Sequence, residues 1–311
     1  MKFLTVGTRG SALALAQTNQ VAERLRQLWE ASPGGDPFTV EVQVIKTKGD
    51  RILDVPLAGI GDKGLFVKEL EQALLSREVD FVVHSMKDLP TEMPDGLCIA
   101  AVPEREDPLD ALVSGGAVLA DLPPGARIGS SSLRRRAQIL HHRPNLEILD
   151  IRGNLDTRLR KLDNGEYDAI VLACAGLNRM GWADRITEKL SPEICLPAVG
   201  QGALAIQARR DDPETFLLLA VLDHPETHAA VRAERSLMKS LEGGCQVPIG
   251  ALARLDSGAL VLEGVVASLD GAKLVRGRVI DRPDQPDELG IELSQVLLSA
   301  GADRILADLR R

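Results

Sequence analysis

Hydrophobic and polar residues alternate along the first eighty-five residues with two different periods. Residues 2–8, 37–47 and 79–85 are short apolar or period-two runs, which predict β-strands. Between them, residues 11–30 and 64–78 place apolar side chains three and four positions apart, which predicts helices. Because strands that are separated by helices pair in parallel, this part of the chain favours a largely parallel sheet with helices on its faces.

The same order of elements begins again after "VPEREDPLDALV", which ends at residue 113. Its predicted strands and helices are 126–132, 133–143, 145–153, 155–166 and 167–175. The stretch "REVDFVVHSMKDL" resembles "GEYDAIVLACAGL", and "VGTRGSALAL" resembles "IGSSSLRRRA". This likeness predicts two α/β lobes of one design. The segments "VPEREDP" (102–108) and "CLPAVGQGA" (195–203) are interpreted as the crossings between the lobes.

The pattern changes from about residue 222. A predicted helix over 228–244 is followed by alternating strands at 249–255, 259–268 and 273–280 and by a last helix, an α+β order. We therefore expect three domains: residues 1–103 with 201–220 as lobe 1, 104–200 as lobe 2, and 221–311 as a smaller C-terminal domain.

Composition narrows the class of protein. Hydrophobic residues make up 44% of the 311 and aromatic residues 3%, which predicts a globular protein with an aliphatic core. A formal charge of −8 argues against nucleic-acid binding. The N-terminal apolar run is too short for a signal peptide, and no run reaches the roughly 18 apolar residues of a membrane helix. The four cysteines have no C-x-x-C spacing, so we expect reduced thiols and a cytoplasmic protein.

Basic residues recur where predicted strands pass into helices. Arg9 and Ser11 follow the first strand, and Ser131 and Ser132 precede a run of three arginines that includes Arg134 and Arg135. Arginines in the first turn of a helix oppose its dipole unless an anion joins them. Further arginines follow later strands, at positions 152, 158 and 179. A solvated basic face is the alternative, but the recurrence favours a site for a ligand with several carboxylates or phosphates.

Two other stretches carry reactive groups. Lys87 and Asp88 end the apolar strand of "VVHSMKDLP", where an acid–base role and a turn-capping ion pair both remain possible. Cys245 follows two glycines in "LEGGCQVPIG", which presents a thiol on a loop. The pair His224 and His228 lacks a third ligand, so we expect no metal. The segment "GIGDKGLFVKEL" lacks the spacing of a phosphate loop.

Taken together, these motifs resemble those of the porphobilinogen deaminase family. The matching stretches cover nearly the whole chain in family order: "TRGSALALAQ", "GDKGLFVKELE", "VHSMKDLP", "GSSSLRRRAQ", "IRGN", "LDNGEYDAIVLA", "AGLNRMG", "LPAVGQGA" and "LEGGCQVPIG". The resemblance implies two periplasmic-binding-protein-like lobes with mostly parallel sheets plus a smaller α+β C-terminal domain. It also implies a dipyrromethane cofactor, joined through a thioether to Cys245.

The implied reaction joins four porphobilinogen molecules head to tail, with loss of ammonia, onto that cofactor. Hydrolysis then releases the linear tetrapyrrole hydroxymethylbilane. Asp88 would be the catalytic acid–base and cation-stabilising group. The resemblance places the following residues against the cofactor: Lys87, Asp88, Ser131, Ser132, Arg134, Arg135, Arg152 and Arg158. It places these residues against substrate and the growing pyrrole chain: Arg9, Ser11, Arg152, Arg158, Arg179, Lys63 and Phe66 of a covering loop, and Gln201 at a hinge.

One alternative comes from another functional class. A two-lobed solute-binding protein could hold a polycarboxylate ligand without turning it over, but such proteins are normally exported and would leave Cys245 unmodified. We further expect a monomer without membrane or nucleic-acid partners, whose product passes to uroporphyrinogen-III synthase.

Overall fold

The computed structural model describes residues 2–31, 38–47, 67–241 and 247–309. The chain forms two compact units, one of Met1–Arg105 with Ala203–His228 and one of Glu106–Gly202 with Ala229–Arg311. The first two passages between units fall within the segments that the sequence analysis interprets as crossings. The division into three domains stays a prediction.

Strands and helices alternate through most of the chain. The first part contains β1 (Lys2–Thr8), α1 (Ala12–Glu30), β2 (Phe38–Val44), α2 (Lys68–Leu75), β3 (Phe81–Ser85) and β4 (Leu97–Ala101). The middle part contains β5 (Asp110–Ser114), β6 (Arg127–Gly129), α3 (Leu133–His142), β7 (Glu147–Leu149), α4 (Leu155–Asp163), β8 (Ala169–Ala173), α5 (Cys174–Arg179) and β9 (Glu188–Leu190). The last part contains β10 (Leu204–Arg209), α6 (Pro213–Leu219), α7 (Pro225–Ser240), β11 (Ile249–Asp256), β12 (Ala259–Ala267), β13 (Leu274–Asp281), α8 (Pro286–Leu297) and α9 (Asp303–Leu309).

The first unit is built on a five-stranded sheet in the order β2-β1-β3-β10-β4. β1 pairs in parallel with β2 and β3, whereas β10 runs antiparallel to both β3 and β4. Its core is mainly aliphatic around the buried rings of Phe38 and Phe81, and Val6, Leu25 and Ile206 are fully buried there. The low aromatic content is thus sufficient for a close-packed sheet and helix interface.

The second unit repeats this arrangement in the order β7-β6-β8-β5-β9. β6 pairs in parallel with β7 and β8, and β5 runs antiparallel to both β8 and β9. Each sheet therefore has four strands in one direction and one antiparallel strand in the fourth position. The prediction of two α/β lobes of one design is confirmed.

A repeated side-chain contact supports the same conclusion. The Asp80 carboxylate, just before β3, accepts a hydrogen bond from the Thr5 amide of β1 at 2.7 Å. Asp168, just before β8, accepts one from the Arg127 amide of β6, also at 2.7 Å. In each lobe an aspartate thus fixes the register of two parallel strands whose ends carry candidate site residues.

The C-terminal residues form the predicted α+β layer. β11, β12 and β13 make an antiparallel sheet, and α8 covers it with Leu289, Leu293 and Leu297, which are fully buried. The predicted fold class, with α/β lobes and a smaller α+β part, is confirmed. None of the helices in the described part of the chain is long and apolar enough to cross a membrane.

Most elements that the hydrophobic pattern predicts are present, but four strands were not predicted. β4, β5, β9 and β10 lie in stretches for which the hydrophobic pattern predicted no element. β10 is buried at every position, so it lacks the polar alternation that marks a half-exposed strand. β5 and β10, the antiparallel members of the two sheets, also follow closely on the segments that were interpreted as crossings.

Candidate active site

Arg9 and Ser11 lie where β1 ends and α1 begins. Ser11 is the N-cap of α1, and its hydroxyl accepts a hydrogen bond from the Ala14 amide at 3.3 Å. Thr8, the last residue of β1, is fully buried and its hydroxyl accepts a hydrogen bond from the Thr18 hydroxyl at 2.8 Å. These hydrogen bonds hold the turn between β1 and α1, so the backbone of the half-buried Arg9 has a defined position.

Lys87 and Asp88 lie in one 3₁₀ turn, Met86–Asp88, directly after β3. The Met86 side chain is buried, and its amide donates to the Ala203 carbonyl at 3.0 Å. Asp88 is exposed, whereas Lys87 is half-buried. The turn is therefore anchored at its first residue while its carboxylate is open to solvent.

The end of β3 is held to α1 as well. The buried Gln17 amide group donates to the Ser85 hydroxyl at 3.0 Å, directly before the turn that carries Asp88. Since β1 and β3 are parallel neighbours, their carboxyl ends lie at the same edge of the sheet. The first unit therefore gathers Arg9, Ser11 and Asp88, with Lys87 beside it, at one edge.

A buried histidine supports β3 from within. His84 Nε2 donates to the Gln207 side-chain oxygen at 2.9 Å, and the Gln207 amide group donates to Glu71 at 3.1 Å. Burial lowers the pKa of His84 to about 4, although the Gln207 bond opposes this. Burial also raises the pKa of the half-buried Glu71. His84 is therefore neutral at pH 7.

In the second unit, the turn from β6 to α3 carries two of the predicted serines. Ser132 is the N-cap of α3 and accepts a hydrogen bond from the Arg135 amide at 3.4 Å. The Ser131 hydroxyl donates to the Ile151 carbonyl at 2.8 Å and accepts from the Ile151 amide at 3.0 Å. These two hydrogen bonds hold the start of α3 against the segment that leads into Arg152.

Arg134 and Arg135, in the first turn of α3, are almost completely buried against Asp110. The Arg134 Nη1 donates to one oxygen of Asp110 at 2.6 Å. The Arg135 Nε and Nη2 donate to the other oxygen at 2.9 and 2.7 Å. The sequence predicts that arginines at this helix start need an anion, and the chain itself supplies one in Asp110.

Burial opposes ionisation of Asp110, but the two guanidiniums outweigh it and hold the pKa of this carboxyl far below its usual range. Two positive charges share one negative charge, so the three side chains carry a net charge of +1 in a buried place. Among the described residues, Arg134 Nε has no hydrogen-bond partner. A ligand carboxylate would offset this remaining charge.

Arg152 and Arg158 follow β7 and lie on either side of the start of α4. Both are half-buried, and Arg158 Nε donates to the Gly153 carbonyl at 2.9 Å. Gly153 has a φ of 108°, and a Cβ there would lie 2.6 Å from the Thr157 side chain. Only glycine fits this turn. The turn places the Gly153 carbonyl where it accepts the Arg158 hydrogen bond, after the end of β7.

Arg179 and Gln201 approach the same edge from later in the chain. Arg179 ends α5, and its Nη2 donates to the Gly202 carbonyl at 2.8 Å while its buried Nε lacks a partner among the described residues. Burial lowers the pKa of Arg179, and the charge of Glu106 opposes that shift. The Gln201 amide group is buried and donates to Asp110 at 2.8 Å. Gln201 thus belongs to the Asp110 contacts.

Three of the four thiols are described, and burial makes them weak nucleophiles. Burial raises the pKa of Cys174 and of Cys195 to about 12, and it also raises the pKa of Cys98. The predicted attachment residue, Cys245, lies outside the described residues, as do Lys63 and Phe66 of the predicted covering loop. Within the described ranges, no group of three acidic, cysteine or histidine side chains could hold a metal ion.

Asp110 is the residue that sequence reasoning missed. It opens the apolar run "DALVS", two residues after the segment 102–108 that was interpreted as a crossing, and the sequence pattern gave it no role. The sequence did hold a signal, because an acidic residue directly precedes an apolar run at this position. Three consecutive arginines elsewhere in the chain need a counter-charge, which this acid could supply.

The donor set fits a dipyrromethane that carries acetate and propionate groups. Guanidinium groups, serine hydroxyls and the backbone amides at a helix N-terminus can all donate hydrogen bonds to a carboxylate. Here they lie at the carboxyl ends of parallel strands. The unpartnered Nε atoms of Arg134 and Arg179, with the net positive charge around Asp110, are consistent with an anionic ligand.

Comparison with known proteins gives matches along both units. Residues 4–216 match the family described as "Porphobilinogen deaminase, dipyromethane cofactor binding domain", and residues 228–299 match "Porphobilinogen deaminase, C-terminal domain". Porphobilinogen deaminase of Syntrophobacter fumaroxidans is 54% identical over 311 residues, covering 100% of this chain and 99% of the relative. That of Desulforudis audaxviator is 55% identical over 308 residues, with 99% and 98% covered.

Likeness to solved structures is more distant. A periplasmic binding protein of Salmonella typhimurium with high arginine specificity is 16% identical with a TM-score of 0.39, covering 73% of this chain and 96% of that one. This likeness carries no argument about function. The relatives that match along nearly the whole chain are porphobilinogen deaminases, which supports the enzyme interpretation over the solute-binding alternative. By the family matches and these relatives, the chain belongs to the porphobilinogen deaminase family.

Proposed function

We propose that this chain joins four porphobilinogen molecules head to tail, with loss of ammonia, onto a covalently bound dipyrromethane and releases hydroxymethylbilane by hydrolysis. It is a transferase of tetrapyrrole and heme biosynthesis. The observation that carries this function is the match to porphobilinogen deaminases along nearly the entire chain. The basic and hydroxyl side chains at the strand ends of both units support it, because porphobilinogen is a dicarboxylate.

Cys245 is proposed as the attachment residue. The three described cysteines have raised pKa values, so they are poor sources of thiolate at neutral pH. Cys245 instead follows Gly243 and Gly244, which suit a loop that must carry a growing chain. When bound, the dipyrromethane supplies the free pyrrole carbon that attacks each incoming unit.

Asp88 is proposed as the catalytic carboxylate. Positive charge develops on the incoming pyrrole as its amine leaves, and a carboxylate that accepts a hydrogen bond from the pyrrole N–H stabilises that charge. Its exposure at an anchored turn lets it meet a substrate without first breaking a buried ion pair. It can also accept the proton that is lost when the new carbon–carbon bond restores the aromatic ring.

The basic residues are proposed to hold acetate and propionate groups at different stages. Lys87, Ser131, Ser132, Arg134 and Arg135 would hold the resident cofactor. Incoming and elongated units would meet Arg9, Ser11, Arg152, Arg158 and Arg179, with Lys63, Phe66 and Gln201. Arginine suits this role better than lysine, because its planar fork binds both oxygens of a carboxylate.

Three further proposals concern the protein in its cell. We expect a monomer in the cytoplasm, acting on porphobilinogen without a membrane or nucleic-acid partner. Hydroxymethylbilane would pass to uroporphyrinogen-III synthase.

The mass of the intact protein tests the proposed function. Purified protein should exceed its sequence mass by two linked pyrrole units and should react with an aldehyde dye specific for pyrroles. Cys245→Ala should abolish both signals, whereas the matched control Cys98→Ala should keep them. The parent should also release ammonia and hydroxymethylbilane from porphobilinogen. A parent that binds porphobilinogen without releasing ammonia would support the solute-binding class instead.

A further inference from the structure

Asp110 lies at the edge of its sheet where the candidate ligand residues lie. It is the first residue of β5, which runs antiparallel, and it stands opposite Ala173, the last residue of β8. The start of β5 therefore coincides with the carboxyl ends of the parallel strands. This is how an acid from an antiparallel strand reaches the N-terminal turn of α3.

Both oxygens of Asp110 are fully used. One oxygen accepts from Arg135 and from the Gln201 amide group, and the other accepts from Arg134 at 2.6 Å and from the Cys195 thiol at 3.3 Å. The carboxylate has no exposed surface. It can neither rotate nor exchange partners without breaking several charge-assisted hydrogen bonds.

Backbone carbonyl groups also hold the two guanidiniums in place. Arg135 Nη1 donates to the Val171 carbonyl at 2.8 Å, and Arg134 Nη1 donates to the Leu196 carbonyl at 2.7 Å. Two like charges are thus held side by side at the start of one helix, where repulsion and the helix dipole would otherwise separate them. The shared carboxylate reduces the repulsion and leaves one unit of positive charge for a ligand.

We propose that Asp110 is a positioning residue, which holds Arg134 and Arg135 in the one arrangement that binds the carboxylates of the resident pyrroles. The inference rests on the proposed function and adds a residue to it. Asp110 does not touch the ligand, because its oxygens are saturated by the protein. Its contribution is the preorganisation of two guanidiniums, so its loss should affect cofactor loading before any chemical step.

The test compares Asp110→Asn with Asp212→Asn. Asp212 accepts a hydrogen bond from the buried Arg209 at 2.7 Å in the first unit, far from α3 in sequence. Both substitutions remove a carboxylate from a buried guanidinium, so both should lower the melting temperature. Only Asp110→Asn should reduce the rate at which apo-protein gains the two-pyrrole adduct from porphobilinogen, by roughly tenfold to a hundredfold, the equivalent of one lost charged hydrogen bond.

Asp110→Glu covers the case in which Asp110→Asn does not fold. It keeps the charge but adds one methylene in a position without exposed surface, so it displaces the carboxylate from the guanidiniums. We expect folded protein that also loads slowly. Wild-type loading in folded Asp110→Asn or Asp110→Glu would overturn the proposal. Failure of the proposed function is distinct, since parent and Asp212→Asn would then carry no pyrrole at all.

Discussion

Asp88 and Asp110 both lie where candidate ligand residues gather, but burial gives them different chemistry. Asp88 is exposed at the end of a 3₁₀ turn, whereas Asp110 has no exposed surface and accepts hydrogen bonds from two arginines. An exposed carboxylate can exchange water for a substrate N–H at little cost. A buried one with two charged partners can only hold those partners in place.

The proposed chemistry at Asp88 predicts the effect of Asp88→Asn. This substitution keeps the size and the turn propensity of the side chain but removes its charge. Turnover of porphobilinogen should fall by roughly a hundredfold or more, and the melting temperature should hardly change. Steady-state kinetics and thermal unfolding check this together. The control is Asp95→Asn, another exposed aspartate of the same unit. A parallel loss of stability and activity would identify Asp88 as a turn cap.

His84 makes stability depend on pH. Its pKa is about 4 in the folded protein against an ordinary value of 6.5, so the unfolded chain binds more protons between these values. Stability should therefore fall as pH falls from about 6.5 to about 4, by up to about 3 kcal/mol for this group.

Denaturant unfolding at several pH values measures this contribution. His84→Gln should show a smaller loss of stability between pH 7 and pH 4 than the parent. His142→Gln, which replaces an exposed histidine, should keep the parent's pH dependence. Equal slopes in all three proteins would show that His84 does not titrate as a buried group.

At the scale of single residues, the sequence identified where charge accumulates but not what balances it. The dipole of α3 made the arginines at its start unfavourable, and that argument correctly called for an anion. Asp110 lies 24 residues before Arg134, and the two meet only because β5 pairs with β8. Side-chain partners that depend on strand pairing are not encoded in a local pattern.

Individual strands and helices follow the sequence closely where one face is exposed. The predicted strand over residues 2–8 coincides with β1, and the predicted helix over residues 11–30 coincides with α1 and its N-cap Ser11. β5 and β10 were missed because each follows closely on a segment that was interpreted as a crossing, and because burial on both faces leaves no alternation of polar residues to mark a strand. Burial alone did not prevent prediction, because β3 and β8 are as buried as β5 and were predicted from their short apolar runs.

β11 offers a test of how closely elements approach. A Cβ at Gly250 would lie 2.7 Å from the Leu196 carbonyl oxygen, and the next amide, of Ala251, donates to the Pro197 carbonyl at 2.9 Å. The Leu196 carbonyl is backbone, and the hydrogen bond of Ala251 holds the strand beside it, so relief of this contact requires a backbone shift. Gly250→Ala should lower the free energy of unfolding by about 1–3 kcal/mol.

The matched control is Gly115→Ala, because nothing lies within 4 Å of a Cβ at that position. That variant should be as stable as the parent or slightly more stable, since alanine restricts the unfolded chain. Denaturant unfolding of both variants measures the difference. Similar stability in the two would mean that the strand can shift away from Leu196.

Across the whole molecule, the candidate basic residues follow the ends of several strands in each of the two units. Their surroundings differ: Arg135 is buried against Asp110, whereas Arg152 and Arg158 are half-buried. A cofactor of two pyrroles plus four additions carries twelve carboxylates by the proposed chemistry. The residues should therefore serve different stages of elongation.

Substitution of single arginines by lysine should separate these stages. Arg134→Lys and Arg135→Lys should give mainly apo-protein, whereas lysine at positions 9, 152, 158 or 179 should stall the chain at different lengths. Each lost charged hydrogen bond costs about 1.5–3 kcal/mol, which slows a step without unfolding the protein. Native mass spectrometry after brief exposure to porphobilinogen shows the bound intermediates. One common distribution, scaled only in rate, would contradict this division.

The strand order also determines the sequence in which a ribosome can finish the two sheets. β5 to β9 all lie between residues 110 and 190, so their sheet can close as soon as that stretch emerges. β4 must wait for β10, about 100 residues later, which is about 5–20 s of synthesis. The sheet that is second in the chain should therefore resist protease first in arrested nascent chains, and the N-terminal strands would need protection from premature aggregation until β10 arrives.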